Sequence, residues 1–317
     1  MVIMTPQTVA RTGVEVIPGI EVQPFAAQIG AEVRCADVRA LDDAAFNAVR
    51  RAFLDNLVLL IRGQQLNDDA LVAFGHRFGE PTAAAPVHVG QKPRERPEIA
   101  IISNVVENGM AIGGLGDGEA VWHSDSSFNT VPPSLSILHS IELPPPGSGG
   151  DTEFANMYRA LEAMPGALRA RIAGKTIKND LRYTSGGQLR PGYTGKEDIR
   201  TAPGPSHPII RRHEDTGHHA LYLGRRPYST INGLSLEESE ALLNEVWAHA
   251  TQPEFTWRHQ WQLGDVLIWD NRCAMHRRDA FDPKSRRIMH RTQCKGVPMI
   301  ATGAEDMVRL KPHARAT

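Results

Sequence analysis

Cysteine is scarce in this sequence. Cys35, Cys273 and Cys294 are all there are, an odd number with no CxxC pairing. This argues against a disulfide scaffold and against a zinc ribbon, and fits a reducing compartment. Long apolar runs are missing too: no stretch of about 18 apolar residues occurs, the length a spanning helix needs. The first sixteen residues, Met1 to Val16, hold one arginine and no apolar core of signal-peptide type. A membrane partner is not expected, and the expected location is cytoplasmic. Neither sign of charge is in surplus, since 35 Lys+Arg meet 36 Asp+Glu for a net charge of −1, so nothing draws the chain to nucleic acid or another polyanion. A GxGxxG fingerprint and regular βαβ alternation are both absent, which disfavours a doubly wound nucleotide fold.

What is present suffices for a sizeable core: 317 residues, 41% hydrophobic and 22% charged. We expect one domain over residues 1–317, with 1–16 flexible. Asp42 and Asn67 each stand before an amphipathic run, which predicts helices over Asp43–Leu54 and from Asn67 to Gly79. A third helix is predicted over Met157–Ile172, where Leu161, Met164, Leu168 and Ile172 share a face, and a fourth over Leu236–His249. Apolar or alternating runs predict strands at Val58–Ile61, Ile99–Ile102, Ser134–Leu143, Val266–Trp269 and Arg287–Gln293. Residues 105–121 are glycine-rich; a lid over bound substrate and a plain solvent loop fit their composition equally. Strands before, between and after helices imply an antiparallel β-core with helices outside.

The sharpest chemical signal is Trp122-His123-Ser124-Asp125. In an extended segment positions i and i+2 face one side, so His123 and Asp125 can offer an imidazole and a carboxylate to one ion. A third ligand is available from His276. Two histidines and a carboxylate on one face leave three octahedral positions open, which suits non-haem Fe(II) binding a co-substrate and dioxygen together. Downstream, alternation over Arg286–Arg291 puts Arg287, Met289 and Arg291 on one face. Two guanidiniums on the same face need anions to meet them near a core, although surface arginines paired with acids would read the same. His139, His213, His218, His219, His249 and His259 are expected to be surface or structural.

In order along the chain, Phe78-Gly79, the motif around His123, Gly149-Gly150-Asp151-Thr152, Ser206-His207-Pro208, His249–Phe255, Trp269-Asp270-Asn271-Arg272, His276 and Arg286–Arg291 resemble the TauD/TfdA family, the taurine and 2,4-dichlorophenoxyacetate dioxygenases. The resemblance implies a mainly β fold, a double-stranded β-helix or jelly roll with flanking helices. It implies that His123, Asp125 and His276 ligate Fe(II), that Arg287 and Thr152 hold the far carboxylate of 2-oxoglutarate, and that Arg291 meets the acidic group of a small organic substrate. Dioxygen is the other co-substrate, and succinate and carbon dioxide leave as the substrate carbon is hydroxylated.

Between Phe78 and His123 no equivalent of the taurine enzymes' substrate histidine stands out. Thr82-Ala83-Ala84-Ala85-Pro86 lies there, with His88 beyond; small residues at that edge make room for a larger acid. An aryloxyalkanoate cleaved at its ether is the expected substrate class, and an alkylsulfonate or a sulfate ester is the alternative. Asn104 is a candidate substrate contact and equally a structural residue. A zinc hydrolase built on the same three ligands and a non-catalytic jelly-roll binder are the readings from other classes. The family often forms homo-oligomers, which nothing in the residues requires.

Overall fold

The computed structural model describes residues 19–84, 95–118, 120–183, 189–190, 192–195, 198–303 and 313. The expected flexible start and Ala85, Pro86 and His88 lie outside these residues. Two β-sheets face one another. The larger has eight strands in the spatial order Glu21–Pro24, Ala31–Arg34, Val58–Ile61, Val266–Asp270, Leu135–Glu142, Ile288–Cys294, Ala100–Ser103 and Gly114–Leu115. The smaller runs Thr256–His259, Thr152–Asn156, Ala274–Arg278 and Ala120–His123, antiparallel throughout. Together they form the jelly roll, mostly β with few helices. No helix among the described residues is long and apolar enough to cross a membrane.

Period-2 alternation explains how one sheet serves two cores. Val58, Leu60, Leu138, Leu267, Trp269 and Met289 turn inward against Phe154, Ala155 and Met275 of the smaller sheet. Their neighbours Leu59, Ile61, Ile137 and Ile268 turn outward. There the helices Asp43–Asn56 and Asp68–His76 cover them with Phe46, Val49, Phe53, Leu71 and Phe74. Both helices start where the sequence predicts: the carboxylate of Asp42 accepts from the Ala45 amide and the Asn67 side chain from the Ala70 amide. The second stops at His76, short of Gly79.

Two expectations need correction. The helix predicted over Met157–Ile172 is two helices, Met157–Glu162 and Gly166–Ile172. Pro165 is the reason, because it has no N–H and disfavours helical geometry in the residue before it. Met164 still packs inward, so the apolar register survives the break. The glycine-rich stretch before His123 is not a bare loop either. Val106–Glu107 pairs with Met110–Ala111, and Gly114–Leu115 adds a parallel edge to the large sheet beside Ala100–Ser103. Glycine is needed at 113, where a Cβ would lie 2.5 Å from the carbonyl oxygen of Ile101.

Candidate metal centre

His123 and His276 are directly paired across the strands Ala120–His123 and Ala274–Arg278. Directly opposed residues in an antiparallel pair project to the same face. The register continues in both directions: Phe154 opposes His276, Trp257 opposes Phe154, and Arg225 bridges to His123 from the other side. One row therefore crosses the inner face of the small sheet, Trp257, Phe154, His276, His123, Arg225. The imidazole centroids lie 4.2 Å apart, and Phe154 stacks on His276 at 5.9 Å.

Asp125 joins them by a route the sequence argument did not foresee. The strand ends at His123, and Asp125 sits in a turn made by Ser126 with a left-handed φ of 51°. The Ser124 amide anchors that turn by donating to the Gly224 carbonyl at 2.9 Å. Convergence of His123 and Asp125 thus comes from a strand end and a turn, not from strand alternation. Oδ1 of Asp125 is 3.7 Å from Nε2 of His123 and 3.9 Å from Nε2 of His276. These are three buried ligand atoms aimed at one point.

In His123 and Asp125 the atoms facing away from that point are committed elsewhere, whereas Nδ1 of His276 is buried with no partner among the described residues. Nδ1 of His123 donates to the Val121 carbonyl at 2.7 Å, leaving Nε2 as the lone-pair nitrogen. Oδ2 of Asp125 accepts from Ser136 Oγ at 2.7 Å and Gln293 Nε2 at 3.0 Å, and Asn271 Nδ2 donates to the same Ser136 at 3.0 Å. Such outer contacts fix ligand orientation. Burial pushes the His276 imidazole down to about 3, with the neighbouring His123 adding to it, so it stays neutral. Burial works against ionising Asp125, but the Arg291 guanidinium beside it holds the carboxyl well below its usual range. Two imidazole nitrogens and one carboxylate oxygen fit a divalent ion with open positions better than a closed structural site.

Beyond the triad lies a buried cation. Arg287 is 1% exposed, and its Nε and Nη1 have no hydrogen-bond partner among the described residues. Its guanidinium carbon lies 5.9 Å from the Trp261 ring and 5.8 Å from that of Phe281. Burial, then the nearby charge of Arg278, push it down to about 9. A desolvated guanidinium with open donors is a costly arrangement that an arriving carboxylate relieves. Thr152 Oγ1 accepts from Trp261 Nε1 at 3.0 Å, which turns its own O–H toward other acceptors. Arg278 donates to the carbonyls of Gly116 and Gly118, so it ties the glycine-rich segment to this pole.

Of the other candidates, Arg291 reaches the triad itself, with Nη1 3.1 Å from Asp125 Oδ1. Asn104 is engaged by backbone on both sides: Nδ2 donates to Ser285 O at 2.8 Å and Oδ1 accepts from the Arg287 amide at 3.1 Å. It fixes the turn that delivers Arg287. Ser136, Gln293, Asn271, Arg278 and Trp261 were not singled out from sequence. A serine amid the apolar strand Leu135–Glu142 was the one signal that could have marked Ser136.

A second cluster, His213, Asp270 and Cys273, is also buried. Arg272 takes both oxygens of Asp270 at 2.8 and 2.6 Å, and His213 Nε2 lies 3.0 Å from Oδ2. This is a salt-bridge knot that anchors the chain before His276, not a seat for an ion.

Against known proteins, residues 21–293 match the family model described as taurine catabolism dioxygenase TauD, TfdA family. The chain is 34% identical over 281 residues to an alpha-ketoglutarate-dependent 2,4-dichlorophenoxyacetate dioxygenase of Cupriavidus pinatubonensis, covering 84% of this chain and 95% of that one. It is 32% identical over 269 residues to an alpha-ketoglutarate-dependent sulfate ester dioxygenase of Pseudomonas putida, covering 81% and 83%. A crystal structure of a putative alpha-ketoglutarate-dependent taurine dioxygenase from Burkholderia xenovorans superposes with a TM-score of 0.71 at 32% identity, over 90% of this chain and 92% of that one.

Proposed function

Because the chain belongs to the TauD, TfdA family and is an α-ketoglutarate (2-oxoglutarate)-dependent dioxygenase, we propose that His123, Asp125 and His276 hold Fe(II) in it and that its prime substrate is a small organic acid. The observation that carries the metal assignment is the convergence of two histidine Nε2 atoms and one carboxylate oxygen in a buried pocket, with His123 and Asp125 each oriented by a bond on the far side. Fe(II) held there would supply open coordination positions and a redox centre for dioxygen activation, the net reducing electrons coming from 2-oxoglutarate and the substrate C–H.

The protein's own residues bind, orient and exclude water. Arg287 and Thr152 receive the far carboxylate of 2-oxoglutarate in a niche walled by Trp261 and Phe281, where a charge-assisted pair is strongest because water is excluded. Asn104 holds the Arg287 amide in place. Ser136 and Gln293 keep Oδ2 of Asp125 turned away, so that Oδ1 stays with the ligand set. Arg291 lies at the edge of that set, within reach of an acid on whatever occupies the open positions. In the balanced reaction, a substrate C–H, 2-oxoglutarate and O2 give C–OH, succinate and CO2. Hydroxylation next to an ether oxygen gives a hemiacetal that collapses with C–O cleavage.

We favour an aryloxyalkanoate-type carboxylate as prime substrate, supported by the likeness to the 2,4-dichlorophenoxyacetate enzyme across nearly its whole length. The likeness to the sulfate ester enzyme keeps an alkylsulfonate or sulfate ester as the second reading. The test is succinate formation by anaerobically purified protein given Fe(II), 2-oxoglutarate and air, with and without a panel of both acid types. Stimulated succinate with phenol release, lost in His276→Ala, is expected. Sulfite or sulfate release would favour the second reading, and activity with zinc that ignores 2-oxoglutarate would sink the assignment.

A further inference from the structure

Arg278 ends the strand that carries His276, and the reaction as described gives it nothing to do. Two positions beyond His276, it projects to the same face, directly opposite Thr152 on the neighbouring strand. Its guanidinium carbon lies 5.2 Å from the centroid of the Phe281 ring, and that of Arg287 lies 5.8 Å from the same centroid. Two buried cations thus share one aromatic ring at the edge of the niche.

Over this pair runs a short strap, residues 116–118, which leads into the strand Ala120–His123. Three hydrogen bonds fasten it, all from residues 278–281. Nη1 of Arg278 donates to the Gly116 carbonyl at 3.1 Å, its Nη2 donates to the Gly118 carbonyl, and the Phe281 amide donates to the Asp117 carbonyl at 3.1 Å. Gly116 turns the chain there with a left-handed φ of 49°. From the opposite side, residues 280–281 are fixed by Gly149 and Gly150. The Gly150 amide donates to the Ala280 carbonyl at 3.2 Å, and a Cβ at 149 would lie 2.2 Å from that carbonyl oxygen. Phe281, which walls the niche at Arg287, is therefore clamped between these glycines and the strap. The strap is the outer side of that clamp, partly exposed, while Arg278 beneath it is buried.

Charge links the clamp to the niche. The Arg278 charge works against a charged Arg287 beside it, so before an anion arrives the two guanidiniums push each other apart. A carboxylate at Arg287 offsets that repulsion and leaves Arg278 seated on the strap carbonyls. Linkage makes the dependence mutual: an anion that seats Arg278 is itself held more tightly when Arg278 is seated. We propose that Arg278 is a positioning residue that latches the strap 116–118 across the 2-oxoglutarate pole, so that strap closure and 2-oxoglutarate binding reinforce each other. The proposal rests on the reading that Arg287 receives the far carboxylate.

The test is hydrogen exchange at single-amide resolution on the full chain loaded with Mn(II), with and without 2-oxoglutarate, alongside calorimetric 2-oxoglutarate affinities. The Phe281 amide reports the latch. The Asp279 amide, which donates to the Asp151 carbonyl at 3.0 Å, is the control in the same stretch. In the wild type, 2-oxoglutarate should slow Phe281 exchange at least about fivefold more than Asp279 exchange, the lower end of coupling between sites. Arg278→Met should lose that difference and bind 2-oxoglutarate at least about fivefold more weakly, and Arg278→Lys should recover part of both. Gly113→Ala keeps the arginine but sets a Cβ against the Ile101 carbonyl; it should displace the strap and weaken 2-oxoglutarate binding in the same direction. Equal slowing of the two amides in the wild type overturns the proposal whether or not any variant folds, and so does unchanged affinity in Arg278→Met. Affinity retained in Arg287→Met would overturn the underlying reading and the latch together, whereas affinity lost there but kept in both latch variants sinks the latch alone.

Discussion

At the scale of single residues, two buried groups define what the site demands. Ser136 is the shortest contact of Asp125 Oδ2 and also receives Asn271. Its replacement by alanine should weaken metal binding about 10- to 100-fold, as loss of an outer-shell partner does, measured by equilibrium dialysis with Fe(II) or Mn(II) at fixed 2-oxoglutarate. Arg287 should behave in the opposite way toward the empty protein. Arg287→Met removes a buried, incompletely bonded cation, so the melting temperature without 2-oxoglutarate should hold or rise while 2-oxoglutarate affinity falls at least about 100-fold. A fall in both would mean that the guanidinium is structural. That His123, Asp125 and His276 come together, with Arg291 beside them, was legible from residue type, spacing and resemblance. Ser136 and Gln293 were not, because their contacts with Asp125 depend on cross-strand register, which links positions many residues apart.

At the scale of elements, strong local signals were readable and weak ones were not. Asp42 and Asn67 mark helix starts by side-chain to backbone bonds that the sequence analysis anticipated; the Ser235–Glu238 capping box of the helix Leu236–Ala250 went unread. Asp42→Ala should therefore lower global stability by about 1 kcal/mol in urea unfolding and leave succinate kinetics unchanged. The strands Thr152–Asn156 and Ala274–Arg278, which carry Thr152 and His276, were not recognised as strands. Ala-Met-His-Arg-Arg is not an apolar run, and its outward arginine, Arg277, bonds Glu153 on the neighbouring strand. Such a strand exists because it pairs on both edges, which is tertiary information. The break at Pro165 was local and readable, but the apolar register on either side concealed it.

For the whole molecule, the large sheet is shared property. Its inward side chains belong to the core between the two sheets, and its outward ones belong to the core under the helices. We infer one folding unit, and thermal unfolding followed by far-ultraviolet circular dichroism should coincide with that followed by tryptophan fluorescence, since Trp257, Trp261 and Trp269 line or adjoin the inner core. Two separated transitions would show that the helical layer melts independently. Composition foretold a sizeable core, and mixed element order foretold the β-core with outer helices; that one sheet divides two cores was not visible in either.

The row from His276 through His123 to Arg225 has a metric consequence. Neighbouring strands keep a spacing of about 4.8 Å, so backbone pairing sets the separation of the two imidazoles as a ruler would. Sliding Ala274–Arg278 by one residue would turn the His276 ring to the outer face and leave His123 and Asp125 facing each other alone.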